Sequence, residues 1–311
     1  MITVSDIRAA RERISGRVLR TPLIEDPSGS GLFIKCEHLQ KTGSFKLRGA
    51  TNCVMQAVAA GARHVVTGSS GNHGQAVAYV AQQLGIKATI VVPEDVPQVK
   101  VRGIQSYGAK VEFVGLTSTE RLARAAEIVK AEGAVFIAPY DDERTMAGQG
   151  TIGLEILEQL PDVPAVYVPI GGGGLIAGIA TAIKETNPSV RVIGVEPELA
   201  SDTYQSRQRG EIVSIGPTKT IADGLRTSHP GELTWPVIQR YVDDIVLVSE
   251  DEIRRACRYL LERLKQVVEP SGAVSVAAAL RAGGRAVAVV SGGNLDLAGA
   301  SGVPAWAVAG A

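Results

Sequence analysis

The chain is poor in several things, and each shortage argues against a class of protein. Its 311 residues hold three cysteines, Cys36, Cys53 and Cys257, with no Cys-x-x-Cys spacing. Neither a disulfide framework nor a thiolate zinc site is expected, which leaves three reduced, buried thiols and a cytoplasmic setting. Net charge is lacking too. Lys plus Arg and Asp plus Glu each number 32, so nothing draws the chain to nucleic acid or to an anionic membrane. No apolar run approaches the ~20 residues that cross a bilayer, and the weakly polar stretch AVSVAAAL is far shorter. The opening MITVSDIRAARERI carries charges early and has no apolar core, so no secretory leader is expected. Internal repeats, low-complexity tracts and long linkers are missing as well.

What is present fits a globular protein, with 45% hydrophobic and 21% charged residues and a length that suggests about two domains. Short β-branched runs alternate with longer helical periods, a pattern that predicts α/β layers around largely parallel sheets. Strands are expected at 64–67, 88–92, 110–114, 165–169, 190–195 and 286–290. Helices are expected at 72–84, 118–132, 175–185 and 250–264. The last of these follows Ser249-Glu250-Asp251-Glu252, which reads as a capping box. The small, apolar tail at 299–311 is expected to be poorly fixed.

Gly- and Ser-rich turns recur where expected strands meet helices: 67–74, 169–174 and 291–294. In an open α/β sheet such turns lie at the carboxyl ends of strands, where ligands bind. Gly171-Gly172-Gly173-Gly174 lets the backbone approach a ligand closely and exposes N–H groups at a helix start, an anion site suited to a phosphate monoester. It is neither a P-loop nor GxGxxG, and a plain tight turn is the alternative. Ser69-Ser70-Gly71-Asn72-His73-Gly74 offers hydroxyls, an amide and an imidazole at another helix start; it suits a carboxylate plus a polar ring substituent, or is simply a capping cluster. Ser291, in Ser291-Gly292-Gly293-Asn294, could pair with a heteroaromatic nitrogen or merely end a strand. Glu196 and Asp202, with a carbonyl between them, could hold a hard divalent cation or be solvated loop acids. In KTGSFKLRGA, Lys46 sits among small and apolar residues. That setting favours the neutral amine, the form that adds to an aldehyde.

Taken together and in this order, KTGSFKLRGA, SSGNHGQA, GGGGLIAGIA and SGGN resemble the fold-type II, tryptophan synthase β-like, pyridoxal-phosphate enzymes. Within them the chain is similar to the serine racemase and serine/threonine dehydratase group over residues 7–297. TIADGL at 220–225 and the following VDDIVLVSEDEI point the same way. The resemblance implies an α/β fold of two three-layer domains with mostly parallel, twisted sheets and the active site between them. The larger, cofactor-binding domain would comprise 1–63 and 142–311, and the smaller 64–141.

It further implies pyridoxal 5′-phosphate, carried covalently by Lys46, which would then move a proton at the substrate α-carbon. Phe45 would pack beside the ring, Asn72 would bond its phenolic oxygen, and Ser291 would face its nitrogen. Gly171, Gly172, Gly173 and Gly174 would take the phosphate. Ser69, Ser70, Asn72 and His73 would receive the substrate carboxylate. Ser70, where plain dehydratases of the family tend to have alanine, would supply the second acid/base that a two-base racemase needs. Glu196, the Ala200 carbonyl and Asp202 match the group's divalent-cation loop, with magnesium the expected ion.

The activity implied is a cytoplasmic, homodimeric serine racemase with dehydratase activity. It would convert L-serine to D-serine and to pyruvate plus ammonia, and L-threonine to 2-oxobutanoate. The alternative is a dedicated L-threonine/L-serine or 3-hydroxyaspartate ammonia-lyase without significant racemisation. One departure stands out. An arginine that grips dicarboxylates in the family's racemases is best matched here by Glu127, with Arg124 a turn away, which argues mildly against a second substrate carboxylate. No regulatory domain and no isoleucine feedback are expected.

Overall fold

The computed structural model of the chain describes residues 1–69, 71–96 and 98–295; Ser70 and the 299–311 tail fall outside that description. Among the described residues ten strands, β1 (Leu23–Glu25), β2 (Leu32–Cys36), β3 (His64–Thr67), β4 (Lys87–Val92), β5 (Lys110–Phe113), β6 (Val135–Phe136), β7 (Ala165–Pro169), β8 (Arg191–Pro197), β9 (Asp244–Val248) and β10 (Ala286–Val290), form two sheets. The larger runs β1-β2-β10-β7-β8-β9 and the smaller β5-β4-β3-β6. Every neighbouring pair is parallel except β1 with β2. Strands such as HVVT and AVAVV are buried at every position, as parallel strands covered on both faces must be.

The helices are α1 (Val4–Ile14), α2 (Lys46–Ala59), α3 (Asn72–Leu84), α4 (Gln98–Gln105), α5 (Ser118–Glu132), α6 (Glu143–Gln159), α7 (Gly174–Lys184), α8 (Asp202–Arg209), α9 (Thr234–Tyr241), α10 (Glu250–Glu262) and α11 (Pro270–Ala282). They cover both faces of both sheets, which makes each a three-layer α/β unit. On the larger sheet, α10 and α11 enclose one core with Ile193, Val248, Ala288 and Val290, while α6, α7 and α9 enclose the opposite core around Val166, Val168 and Val287. On the smaller sheet, α3 and α4 pack over Val65, Ile90 and Val92, with α5 behind Val66 and Val91. Leu47, Ala50, Cys53 and Val54 of α2 join the core of the smaller sheet, although α2 precedes residue 64 in the chain.

The six expected strands are all present, with ends shifted by two residues at most. Ser249 caps α10 as expected: its hydroxyl accepts from the Glu252 N–H, and the Glu252 carboxylate accepts from the Ser249 N–H at 2.8 Å. The strands that the sequence pattern did not announce have physical reasons to be quiet. β6 is two residues long, too short to show a period. β2, LFIKC, carries a lysine at a position that is buried all the same.

That lysine belongs to a buried ionic cluster at the base of α2. Lys35 Nζ lies 2.6 Å from Glu155, and Arg48 bonds both Glu37 (2.8 Å) and Glu155 (2.7 Å). The Thr21 hydroxyl completes Glu37 at 2.5 Å, and the Leu19 carbonyl accepts from Arg48 at 3.1 Å. Burial disfavours the Arg48 charge, but Glu37 and Glu155 outweigh it and push the guanidinium pKa up. Two cations and two anions thus hold the first turn of α2 to the β2 end and to α6. The three cysteines are free and buried, and burial pushes each thiol up to about 12, so they are inert. Among the described residues no helix is long and apolar enough to cross a membrane.

Candidate active site

The carboxyl ends of the strands converge on one cavity of about 310 Å³ between the two sheets. Lys46, the first residue of α2, points into it. Its Nζ donates to the Pro139 carbonyl at 2.6 Å and stands 5.1 Å from the Phe45 ring centroid. Desolvation lowers its pKa to about 8, and no carboxylate offsets that burial. A substantial share of the amine is therefore neutral and nucleophilic near physiological pH. The approach of Lys46 is fixed by pairing: the Phe45 N–H donates to the Ser291 carbonyl at 3.0 Å, and Ser44 bridges Gly292.

Opposite Lys46 lies the glycine run that joins β7 to α7. A Cβ on Gly172 would meet the Tyr140 ring at 2.4 Å, and one on Gly174 would meet the Tyr140 backbone at 2.8 Å. Gly173 adopts φ +92° at the N-cap of α7, where no side chain caps the helix. The result is a bare helix N-terminus lined by backbone, open to an anion. Thr234 secures the loop from behind, its hydroxyl donating to the Gly172 carbonyl at 2.8 Å.

The remaining expected residues gather around the same space. Ser69, Asn72, His73 and Ser291 all line the cavity; Ser70 lies outside the described residues. The start of α3 is capped by neither Ser69 nor Asn72, since Gly71 holds the N-cap position with no side-chain bond. His73 is buried, and burial followed by the Lys46 charge drives its pKa down to about 3. It is a neutral imidazole, with Nε2 against the Ile137 carbonyl at 2.9 Å and Nδ1 buried without a partner. The Ser291 hydroxyl donates to the Ser271 carbonyl at a long 3.3 Å.

Glu196, Ala200 and Asp202 form a second, separate cluster. Both acids are buried rather than solvated. Glu196 accepts from the backbone N–H of Thr203 (3.0 Å) and Tyr204 (2.7 Å). Burial, then the neighbouring Asp202, pushes Glu196 up to about 8, and burial pushes Asp202 up to about 7. Among the described residues no three His, Cys, Asp or Glu side chains converge as a metal site. Two carboxylates and a backbone carbonyl nonetheless suit a hard cation that keeps several waters.

Several cavity residues are given no role by the sequence. Glu269 and Asn294 meet Asn72, while Lys100 and Arg121 bring positive charge. Glu127 does not occupy the position that the resemblance suggested for it. It is exposed on α5, paired with Arg124 at 2.8 Å, and the cavity is reached by Arg121, two turns earlier on the same helix. An arginine of α5 therefore does line the cavity, at a position other than the one the resemblance suggested. Asp223, Gly224 and Leu225, within the quoted TIADGL, also line the cavity.

A nucleophilic lysine, a cradle with no room for a side chain at Gly172, Gly173 or Gly174 and an uncapped helix start together fit an aldehyde that bears a phosphate. Residues 14–292 match the family model described as "Pyridoxal-phosphate dependent enzyme". The chain belongs to that family. As a pyridoxal-phosphate dependent enzyme of fold type II it has close relatives of two kinds. It is 47% identical to the L-threonine ammonia-lyase of Geobacter sulfurreducens, over 96% of this chain and 77% of that protein. It is 45% identical to the serine racemase of Arabidopsis thaliana, over 94% of this chain and 93% of that one. The solved structure of maize serine racemase superposes with a TM-score of 0.91 at 41% identity, covering 95% of this chain and 94% of that one.

Proposed function

We propose that the protein is a serine/threonine ammonia-lyase that also racemises serine. It would release pyruvate and ammonia from L-serine and 2-oxobutanoate from L-threonine, and interconvert L- and D-serine. The observation that carries the reading is Lys46, an amine depressed to about 8 at the mouth of a glycine-built anion cradle. Its relatives' names support both halves of the activity. The cofactor, when bound, supplies an electron sink that acidifies the substrate α-carbon.

In this reading Lys46 holds the cofactor and takes or returns the α-proton on one face. Ser69, Asn72 and His73 hold the substrate carboxylate through the start of α3. His73 does so through its backbone N–H, because the neutral imidazole has a single N–H and the Ile137 carbonyl takes it at Nε2. Ser291 presents a hydroxyl, not a carboxylate, to the ring nitrogen. A hydroxyl cannot anchor a ring proton, so loss of a β-hydroxyl is favoured over slower paths. Ser70 is assigned the proton on the opposite face, the step that separates inversion from simple elimination. Glu196, the Ala200 carbonyl and Asp202 would bind magnesium, and a homodimer in the cytoplasm completes the proposal.

Lys46→Ala should abolish both the visible band of bound cofactor and turnover; a coloured, active variant would overturn the reading. Cofactor uptake by cofactor-free protein should quicken as pH rises towards about 8 and level off above it, because the neutral amine is the reacting form. A second reading, a 3-hydroxyaspartate ammonia-lyase, is favoured by Arg121 and Lys100, which could receive a second carboxylate. Oxo-acid and chiral assays of L-serine, D-serine, L-threonine and L-threo-3-hydroxyaspartate, with and without magnesium, distinguish the two.

A further inference from the structure

Asn72 enters the cavity from the smaller sheet, but two residues of the larger unit hold its side chain. Asn294 Nδ2 donates to the Thr42 carbonyl at 2.8 Å and to Asn72 Oδ1 at 2.8 Å. Asn72 Nδ2 donates to Glu269 Oε1 at 2.6 Å. Which atom of each amide is oxygen follows from one fixed point. The Thr42 carbonyl can only accept, so Asn294 must turn its NH₂ towards it. That same NH₂ then faces Asn72, which must answer with Oδ1. The Asn72 NH₂ is thereby turned to the Glu269 carboxyl.

An amide NH₂ has two hydrogens, and Glu269 takes one of those on Asn72. The other has no partner among the described residues, in a group that lines the cavity. The packing leaves little room for a different arrangement. A Cβ on Gly292 would stand 2.1 Å from Glu269 Oε1, and one on Gly43 would stand 2.3 Å from Asn294 Oδ1. Glu269 is itself anchored at the start of α11, its N–H donating to the Gly292 carbonyl at 3.2 Å.

We propose that Glu269 and Asn294 are positioning residues that clamp the Asn72 carboxamide so that its second N–H is aimed at the ring oxygen of the cofactor. The clamp acts before any substrate arrives, by removing the flipped amide that would present oxygen to oxygen. The inference rests on the reading of Asn72 as the partner of that ring oxygen, and its test separates the two.

The experiment follows pyridoxal phosphate itself, by its equilibrium dissociation constant and by the position of its visible band in each reconstituted variant. Asn72→Ala should weaken binding and shift the band. Glu269→Ala and Asn294→Ala should shift it the same way and raise the dissociation constant about tenfold, the scale of one lost hydrogen bond. Glu269→Gln keeps an acceptor for Asn72 and should restore the band position and bind within about threefold of the parent, a fraction of one hydrogen bond. A merely structural role would lower the melting temperature of the cofactor-free variants without moving the band. If Asn72→Ala shifts the band while Glu269→Ala and Asn294→Ala leave band and affinity unchanged, the clamp is refuted alone. If Asn72→Ala also changes nothing, the reading of Asn72 falls and the clamp falls with it. Should Glu269→Ala fail to fold, Asn294→Ala decides by the same readings.

Discussion

Two clusters of buried charge lie in this protein, and they are built on opposite principles. At the base of α2, Arg48 and Lys35 face Glu37 and Glu155, so the four charges cancel and their hydrogen bonds are made within the cluster, to nearby backbone or to the neutral side chains of Thr21, Thr151 and Gln159. Where β8 leads to α8, Glu196 and Asp202 are two acids with no cation bonded to them among the described ion pairs, and both are pushed towards their protonated forms. A balanced cluster stabilises a shape and asks for nothing more. An unbalanced one is relieved by taking up protons or, on the reading proposed above, a cation.

The comparison is most severely tested by Arg48→Leu. It strands Glu37 and Glu155 without their main partner and should destabilise the fold by about 3–5 kcal/mol, read as a fall in the denaturation midpoint. A loss below about 1 kcal/mol would mean that the cluster is not holding α2. The second test adds magnesium to the parent protein at about a hundred times its dissociation constant, where linkage gives about 2.7 kcal/mol of added stability. No rise in melting temperature would show that the Glu196–Asp202 pair has no such ligand. The smallest effect is expected from the double variant Glu196→Gln, Asp202→Asn without cation. It removes the repulsion, should change stability by no more than about 1 kcal/mol, and should no longer respond to magnesium. A retained response would place the ion elsewhere.

How legible these regions were follows from how local their chemistry is. The glycine run, the Ser/Asn turn and Lys46 each sit in a stretch of a few residues, and strand-to-helix junctions bring such stretches together, so the sequence announced them. Arg48 stands two residues from Lys46, yet its partners Glu37 and Glu155 come from β2's end and α6, and no spacing links them. Glu269 meets Asn72 across nearly two hundred residues of chain, at the start of a helix whose small apolar sequence reads as core. Arg121 lines the cavity whereas Glu127 is exposed, and position along α5 does not reveal which face turns inward. Helical spacing alone does not say where the neighbouring sheet lies. Glu196 and Asp202 were legible as residues but not as an environment, since their burial comes from long-range packing that the local sequence does not state.

The order of the larger sheet carries a consequence for how the molecule is assembled. β10, made from residues 286–290, lies between β2 and β7 and is the strand that joins the β1-β2 pair to β7-β8-β9. During synthesis the smaller sheet has all four strands once residue 136 has emerged, whereas the larger one waits as two separate halves for a strand encoded near the far end of the chain. Ser291, Gly292 and Asn294 follow that strand directly. The pocket that must discriminate among amino acids is thus completed only once Ser291 and Asn294 have been made, long after every strand of the smaller sheet is present.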